Sequence, residues 1–298
     1  MRQNTKELTH AVTGREEKTC GVEMEFFGVH KDVVVAKLNE AGIAIEYQGY
    51  THAVQSTWKL VYDASVTSTG TGVGNGLELV SPPLAVAEMA EQLETICGVL
   101  NEIGAKVDKT CGLHIHHHID DLDLQGIKNI YELYNKHAEH IDATMPKSRR
   151  GSTQMNGDIY GYCKPISETE LRAVRGANSV AEIKSVFTGS ARYRVINFQA
   201  YVKYGTIEFR QHSGTVDFTK IMMWLRTTQA LVATAAKKKS IKPMSETAKK
   251  RQTEAFSKEL GLEYTFESIY ARDRKAELKR EEERRQQRAQ QRRQNRAV

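Results

Sequence analysis

Four short segments place acids, imidazoles and a guanidinium at alternate positions. They are Gly21-Val22-Glu23-Met24-Glu25, Gly76-Leu77-Glu78-Leu79-Val80-Ser81-Pro82, Cys111-Gly112-Leu113-His114-Ile115-His116-His117-His118 and Thr206-Ile207-Glu208-Phe209-Arg210-Gln211-His212. In a strand, residues two apart point to the same face. Glu23 with Glu25, His114 with His116, and Glu208 with Arg210 would therefore project as pairs from one side. Val22, Met24, Leu77, Leu79, Ile115, Ile207 and Phe209 would be buried on the other. A face of carboxylates, imidazoles and a guanidinium is costly unless cations or phosphates occupy it. Hard cations such as magnesium prefer carboxylate oxygens, and forked guanidinium donors match phosphate. Glu23, Glu25, Glu78 and Glu208 supply carboxylates from three segments, His114 an imidazole and Arg210 a fork. Such a set would hold two divalent ions and grip the oxygens of a nucleoside triphosphate. The pattern points to an enzyme.

Each piece alone has a plain explanation. A Glu-x-Glu on a strand is usually a solvated face, and Glu-Phe-Arg is an ordinary cross-strand ion pair. Three consecutive histidines put His117 on the face opposite His116 and His118, as a core or edge residue. It is the coincidence of all these pieces on strands of one domain that packing alone does not produce.

The elements that must position these residues follow from periodicity. Lys18–Val29 and Lys106–Ile119 read as strands holding the acidic pair and the histidines, and a short strand carries Glu78 up to Pro82-Pro83. His52–Ala64, rich in β-branched and aromatic residues, reads as another strand. Helical spacing marks Val33–Ala41, Ala85–Ile103, Leu124–Ile141, Ser167–Arg175, Ser179–Phe187 and Phe218–Ala236. Arg194–Val202 and Thr206–Gln211, flanking Lys203-Tyr204-Gly205, read as a hairpin. Ser68–Gly76 reads as a glycine-rich loop, and Pro146–Tyr162 as a long functional loop whose basic start (Lys147, Arg149, Arg150) is expected to do no more than steer substrate. The whole predicts an α+β fold with a curved, mainly antiparallel sheet covered by helices.

The totals narrow the class. The 298 residues are enough for a sizeable core. The polar start has no apolar leader-like segment and no stretch reaches the length of a membrane span, so a cytoplasmic protein without membrane contact is expected. Cys20, Cys97, Cys111 and Cys163 form no C-x-x-C pair, and packing roles are expected for Cys20 and Cys111. The net charge of +6 resides in residues 271–298, which hold 11 Arg or Lys against 5 Asp or Glu, so the remainder is balanced. That tail has no apolar stripe and no aromatic residue. It reads as a solvated helix or a disordered segment, able at most to meet nucleic acid or another acidic partner weakly and without reading sequence. The expected division is a flexible N-terminus over 1–17, a catalytic domain over 18–240, a helical extension over 241–270 and a basic tail over 271–298.

The ordered series Gly-Val-Glu-Met-Glu, Asp63-Ala64-Ser65 ahead of Gly-Leu-Glu-Leu-Val-Ser-Pro, Cys-Gly-Leu-His-Ile-His, and Asn197 ahead of Thr-Ile-Glu-Phe-Arg-Gln-His resembles the amidoligase family. That family belongs to the carboxylate–amine ligase superfamily, with glutamine synthetase and glutamate–cysteine ligase. The resemblance spans about residues 18–235 and leaves the tail outside. It implies a glutamine-synthetase-like bowl binding ATP with magnesium (or manganese) at one end and substrates at the other. By that similarity Glu23, Glu25, Glu78, His114 and Glu208 are metal ligands. His116 and Arg210 contact nucleotide phosphates, with Arg194 beside them. Glu208 and Arg210 serve catalysis, and Asn197, Arg192, Asp63 and Ser81 line the substrate pocket. The implied reaction phosphorylates a carboxylate and joins it to an amine, with small-molecule or peptide substrates and an oligomer compatible with the chain. The loop over Pro146–Tyr162 would be a lid.

Two other classes fit some of the same residues. A metal-dependent hydrolase would use the histidines and glutamates on zinc or manganese to activate water. A non-enzymatic nucleic-acid or assembly protein would act through the tail. The arginine two residues after Glu208 and the carboxylate-rich donor set favour phosphoryl transfer with magnesium over the hydrolase, and deletion of residues 271–298 beside Glu208→Gln separates the ligase from the binding protein.

Overall fold

Alternation of apolar and polar residues becomes a sheet with two unlike faces. The computed structural model describes residues 9–49, 51, 53–67, 76–150, 161–262, 283 and 286. In chain order its elements are β1 (Cys20–Phe26), α1 (Lys31–Glu40), β2 (Ile45–Tyr47), β3 (Trp58–Tyr62), β4 (Leu77–Val80), α2 (Val86–Glu102) and β5 (Gly112–His118). Then follow α3 (Leu124–Lys136), α4 (Ala138–Thr144), α5 (Glu168–Gly176), α6 (Val180–Val186), β6 (Ile196–Asn197), α7 (Gln199–Tyr204) and β7 (Thr206–Ser213). The chain continues through α8 (Phe218–Lys237), α9 (Glu246–Lys250) and α10 (Gln252–Leu260). The strands form one open sheet in the order β2-β3-β4-β1-β5-β7-β6. Every pair is antiparallel except β2–β3. The fold is α+β with a mainly antiparallel sheet.

One face of the sheet is the core. Val22, Met24, Phe26, Leu77, Leu79, Leu113, Ile115, Ile207 and Phe209 are all buried. They join one apolar cluster with Met89, Leu93, Ile96 and Leu100 of α2, Ile127, Ile130 and Leu133 of α3, and Trp224 and Leu231 of α8. Burying a side chain of this size stabilises by about 1.5–3 kcal/mol, so the stripe of α2 alone holds that helix firmly to the core. His117 points into this core as the triple-histidine register requires, with Nε2 2.8 Å from Thr228 Oγ1. The helix starts carry side-chain caps: Asp123 accepts from Gly126 N, Ser167 and Glu170 form a capping box, and Asp217 accepts from Lys220 N.

The structure departs from the periodicity in four places. The expected helix Leu124–Ile141 divides at His137, whose backbone leaves the helical region while its Nε2 lies 2.9 Å from Glu259 Oε2. The expected hairpin arm Arg194–Val202 shortens to β6. Asn197 Oδ1 accepts from Gln199 N at 2.9 Å and turns the chain into α7, which Gly205 ends at φ +66°. Of His52–Ala64 only Trp58–Tyr62 is strand, and β2, three residues long, pairs with it in parallel. β7 also carries one extra residue against β5 between Leu113 and Ile115. This bulge lets the successive residues Gln211 and His212 both reach buried partners, Gln211 on Tyr134 and Asp142, His212 against the Trp224 ring.

All four cysteines are buried and no disulfide joins them among the described residues, and burial pushes the Cys20, Cys97 and Cys111 thiols up to about 12. No helix among the described residues is long and apolar enough to cross a membrane. Residues 151–160 of the expected lid, most of the glycine-rich loop and nearly all of the basic tail lie outside the described residues.

Candidate active site

Strand register assembles the polar face. Across β4, β1 and β5, Glu78 stands opposite Glu25, and Glu23 lies between Val80 and His114. One step along, Gly21 opposes His116, His116 opposes Glu208, and Glu208 opposes Asn197. Directly opposed residues in antiparallel strands lie about 4.5–5.5 Å apart. Four strands thus converge four carboxylates and two imidazoles that are up to 185 positions apart in the chain (Glu23 to Glu208).

His114, at the centre, is almost wholly buried. Its Nδ1 is 3.0 Å from Glu23 Oε2 and 3.5 Å from Glu208 Oε1, and its Nε2 is 3.5 Å from Glu25 Oε1. The other Glu23 oxygen is 3.3 Å from His116 Nε2, whose ring is held from behind by Thr206 Oγ1 at 3.2 Å. Glu208 is gripped twice, by Asn197 Nδ2 at 2.6 Å on one oxygen and by Arg210 on the other. Gly112 N donates to Glu25 Oε2 at 2.6 Å. Two trios with metal-ligand chemistry result, Glu23–His114–Glu208 and Glu25–Glu78–His114, each with donor atoms within 4.8 Å of one another.

The electrostatics are unbalanced in a specific way. Burial opposes ionisation of Glu23, but His116 and hydrogen bonds from both histidines outweigh it and hold the carboxyl well below the usual range. Glu208 behaves alike: burial raises it, and Arg210 with His116 brings it below its ordinary value. Glu78 goes the other way, pushed well above the carboxylate range by burial and then by Glu23, Glu25 and Asp63. The β1–β4 side of the face therefore has more negative charge than the protein neutralises. Arg210 Nε, by contrast, is a buried donor without a hydrogen-bond partner among the described residues.

A cavity of about 440 Å³ opens over this face, lined by all four glutamates, His114, His116 and Arg210. Of the other residues singled out from sequence, Asp63, Arg192 and Asn197 line it as well. Ser81 lines a neighbouring pocket of about 110 Å³, which shares Glu23, Glu78, His116 and Tyr204 with the larger one. The Ser81 hydroxyl accepts from Val22 N at 2.9 Å, and Asp63 Oδ1 accepts from Ser65 N at 2.7 Å. Arg194 is not brought to the cavity; its guanidinium pairs with Glu170 at 2.8 Å. Two buried cations also reach the site; sequence reasoning missed Lys59 and read Arg149 only as part of a basic stretch steering substrate. Arg149 lines the large cavity, and Lys59 lines the small one, donating to the backbone oxygens of Thr51 and Ala53. Lys59, alternating with buried Trp58 and Leu60 on β3, carried a signal; Arg149, in a loop, showed only as one of a basic run, with nothing to say that it is the buried one.

The arrangement is chemically suited to hard cations and to anions that bridge them. The profile of the family described as "putative amidoligase enzyme" matches residues 16–232. Among solved structures, a cryo-electron-microscopy structure of glutamine synthetase from Plasmodium falciparum aligns at 13% identity and a TM-score of 0.36. The alignment covers 77% of this chain and 54% of that one, so the chain spans about half the synthetase's length. No curated protein matches the chain.

Proposed function

The chain belongs to the amidoligase family, and from that premise we propose that it is an ATP-dependent carboxylate–amine ligase working through an acyl phosphate. Membership supports a ligase-type function; the finer reading is supported by the polar sheet face. The observation that carries it is the pair of carboxylate–imidazole trios sharing His114, with Arg210 beside them.

The residues present fit divalent cations. Glu78 is forced above its ordinary range by burial and then by neighbouring carboxylates, a mismatch that bound positive charge relieves. The donor set is oxygen-rich, as magnesium prefers, with one imidazole common to both trios. Glu23, His114 and Glu208 would hold one ion, and Glu25, Glu78 and His114 would surround a second. Magnesium, when bound, supplies charge neutralisation on the phosphate oxygens.

The protein's own part is positioning and electrostatic stabilisation. Arg210, anchored by Glu208, lends its guanidinium charge to the transferring phosphoryl group. His116, fixed by Thr206 and Glu23, presents a donor to phosphate oxygens. A substrate carboxylate oxygen attacks the γ-phosphorus and ADP leaves. The amine then attacks the acyl carbon and inorganic phosphate leaves, with one proton released from nitrogen. Asp63, Arg192 and Asn197 are the wall residues nearest in kind to substrate contacts, and Ser81 serves the smaller pocket. No side chain acts as nucleophile, in keeping with cysteines buried as high-pKa thiols. The basic tail is solvated and would meet nucleic acid or another acidic partner only weakly and without reading sequence, and the protein acts in the cytoplasm.

The test is nucleotide binding by calorimetry with magnesium and with excess chelator. The proposal expects ATP to bind only with magnesium, and Glu23→Gln to weaken that binding at least tenfold. Absence of binding in both conditions, or equal binding in both, contradicts it.

A further inference from the structure

Gly112, whose N–H bonds the Glu25 carboxylate, opposes Ser213 in the sheet and has no side chain to fill its place on the polar face. A Cβ there would lie 2.8 Å from His114 Nε2 and 3.1 and 3.2 Å from the two terminal nitrogens of Arg149. The space is taken instead by the Arg149 guanidinium, brought over the sheet by the helical turn Lys147–Arg149. The turn itself is tied down, since Gln211 Nε2 donates to Arg149 O at 3.0 Å and Arg149 N to Pro146 O at 2.9 Å. Glycine on one strand and an arginine from a loop 37 positions later thus form a single device.

The Arg149 side chain is 4% exposed. Its hydrogen bonds go to Cys163 Sγ at 3.4 Å and Thr110 O at 3.2 Å, both uncharged acceptors. Among the described residues no carboxylate oxygen comes within 4.0 Å of its nitrogens. Buried guanidinium groups are normally paired, because an unpaired charge out of water costs several kcal/mol. Arg210, its counterpart in the cavity, has such a partner in Glu208. Arg149 has five donors, uses two on neutral acceptors, and faces the cavity where the ligands of the proposed reaction would lie.

We infer that Arg149 is a second anion-binding group of the site, holding an oxyanion of a bound ligand beside the Glu25–Glu78–His114 trio. The inference rests on the ligase reading for the identity of that oxyanion, which is either the γ-phosphate of the nucleotide or a carboxylate of the acyl substrate. Both present the coplanar pair of oxygens that a guanidinium fork matches. A purely structural role, bracing Thr110 and Cys163, would alter stability without altering affinity.

The experiment compares wild type, Arg149→Gln and Arg149→Lys in magnesium buffer. Binding of ATP, ADP and inorganic phosphate is measured by calorimetry. Binding of acetate and glutarate is measured by thermal shift with MgADP present. Arg149→Gln is expected to weaken one oxyanion probe about tenfold or more, the scale of one lost charged hydrogen bond, with Arg149→Lys intermediate. A loss for ATP or phosphate with ADP unchanged identifies the γ-phosphate; a loss for the carboxylates with ATP unchanged identifies the acyl substrate. If every probe binds within twofold of wild type, or fails to bind wild type too, while the variant melts lower, Arg149 is structural and the inference is overturned. Should Arg149→Gln not fold, Arg149→Lys decides by the same readouts. Failure of wild type to bind MgATP would remove the ligase reading, while the phosphate arm would still decide Arg149.

Discussion

Asn197 and Glu208 stand opposite each other across β6 and β7, with the Asn197 amide donating to Glu208 Oε2 at 2.6 Å. Arg210 holds the other oxygen, so the carboxylate is oriented by the protein from both sides. Asn197 therefore acts on the proposed metal site through Glu208. Asn197→Ala is expected to weaken magnesium binding about 10- to 100-fold, as loss of a partner to a metal ligand does. Melting should also fall, because both residues are buried and the substitution leaves a Glu208 oxygen without its amide donor. Unchanged magnesium affinity in a calorimetric titration would show that Arg210 alone orients Glu208.

Glu78 should carry a stability cost that its function requires. Its folded pKa is raised, so the ionised form burdens the metal-free protein increasingly as pH rises above the ordinary value of 4.5. Glu78→Gln is expected to melt about 2–4 °C higher than wild type at pH 8 without metal. Magnesium should raise the wild-type melting temperature more than the variant's. A variant that melts lower without metal would mean that hydrogen bonding, and not repulsion, governs Glu78.

Much of this site is legible in the sequence because it rests on period-2 alternation. Glu23, Glu25, Glu78, His114, His116, Glu208 and Arg210 lie on strands whose intervening residues are buried as their spacing requires. What was not legible arises between elements. Arg149 belongs to a loop, and only the vacancy at Gly112 explains where it goes. Arg194 carries the same charge in a similar context, yet Glu170 of the α5 capping box draws it away. α7 replaced a strand arm because Asn197 could bond its own backbone two residues on, a local competition that β-propensity does not register. The parallel β2 was too short for any periodicity to show.

Acid sensitivity should come from two histidines on the core side of the sheet. Burial lowers His117 to about 3 and His212 to about 4, from 6.5. The unfolded chain then binds more protons than the folded one below pH 6.5, so the stability these neutral rings permit is complete above that value. It is lost as pH falls toward the folded values. Each histidine is expected to cost about 2 kcal/mol between pH 7 and pH 5. Melting followed by circular dichroism should show this limb, and His117→Gln should flatten it while lowering stability at pH 7.5. An equally steep limb in the variant would assign the sensitivity elsewhere.

The C-terminal helix α10 is clasped to the domain by Glu259, which meets Lys136, His137 and Lys238 at 2.8–3.0 Å. Burial opposes its ionisation, but bonds from His137, Lys136 and Lys238 hold the carboxyl far below its ordinary range. The stability gained is present above the usual carboxylate range and is lost as pH falls below it. Solvent reaches the cluster, so Glu259→Gln is expected to cost only about 1 kcal/mol, less at high salt. Phe256→Ala, which empties a fully buried position between His137 and His140, should cost about 3–5 kcal/mol. Neither change should alter magnesium affinity; if either does, the extension is coupled to the site.

The central claim is that the polar sheet face transfers the γ-phosphoryl group of ATP to a carboxylate. The most direct measurement incubates the protein with magnesium, ATP and pooled carboxylates and amines, beside Glu208→Gln, and separates the nucleotide products. The account predicts ADP and inorganic phosphate, dependent on the pool and reduced at least a hundredfold in the variant. Release of AMP, or ADP formed equally by Glu208→Gln, would contradict it.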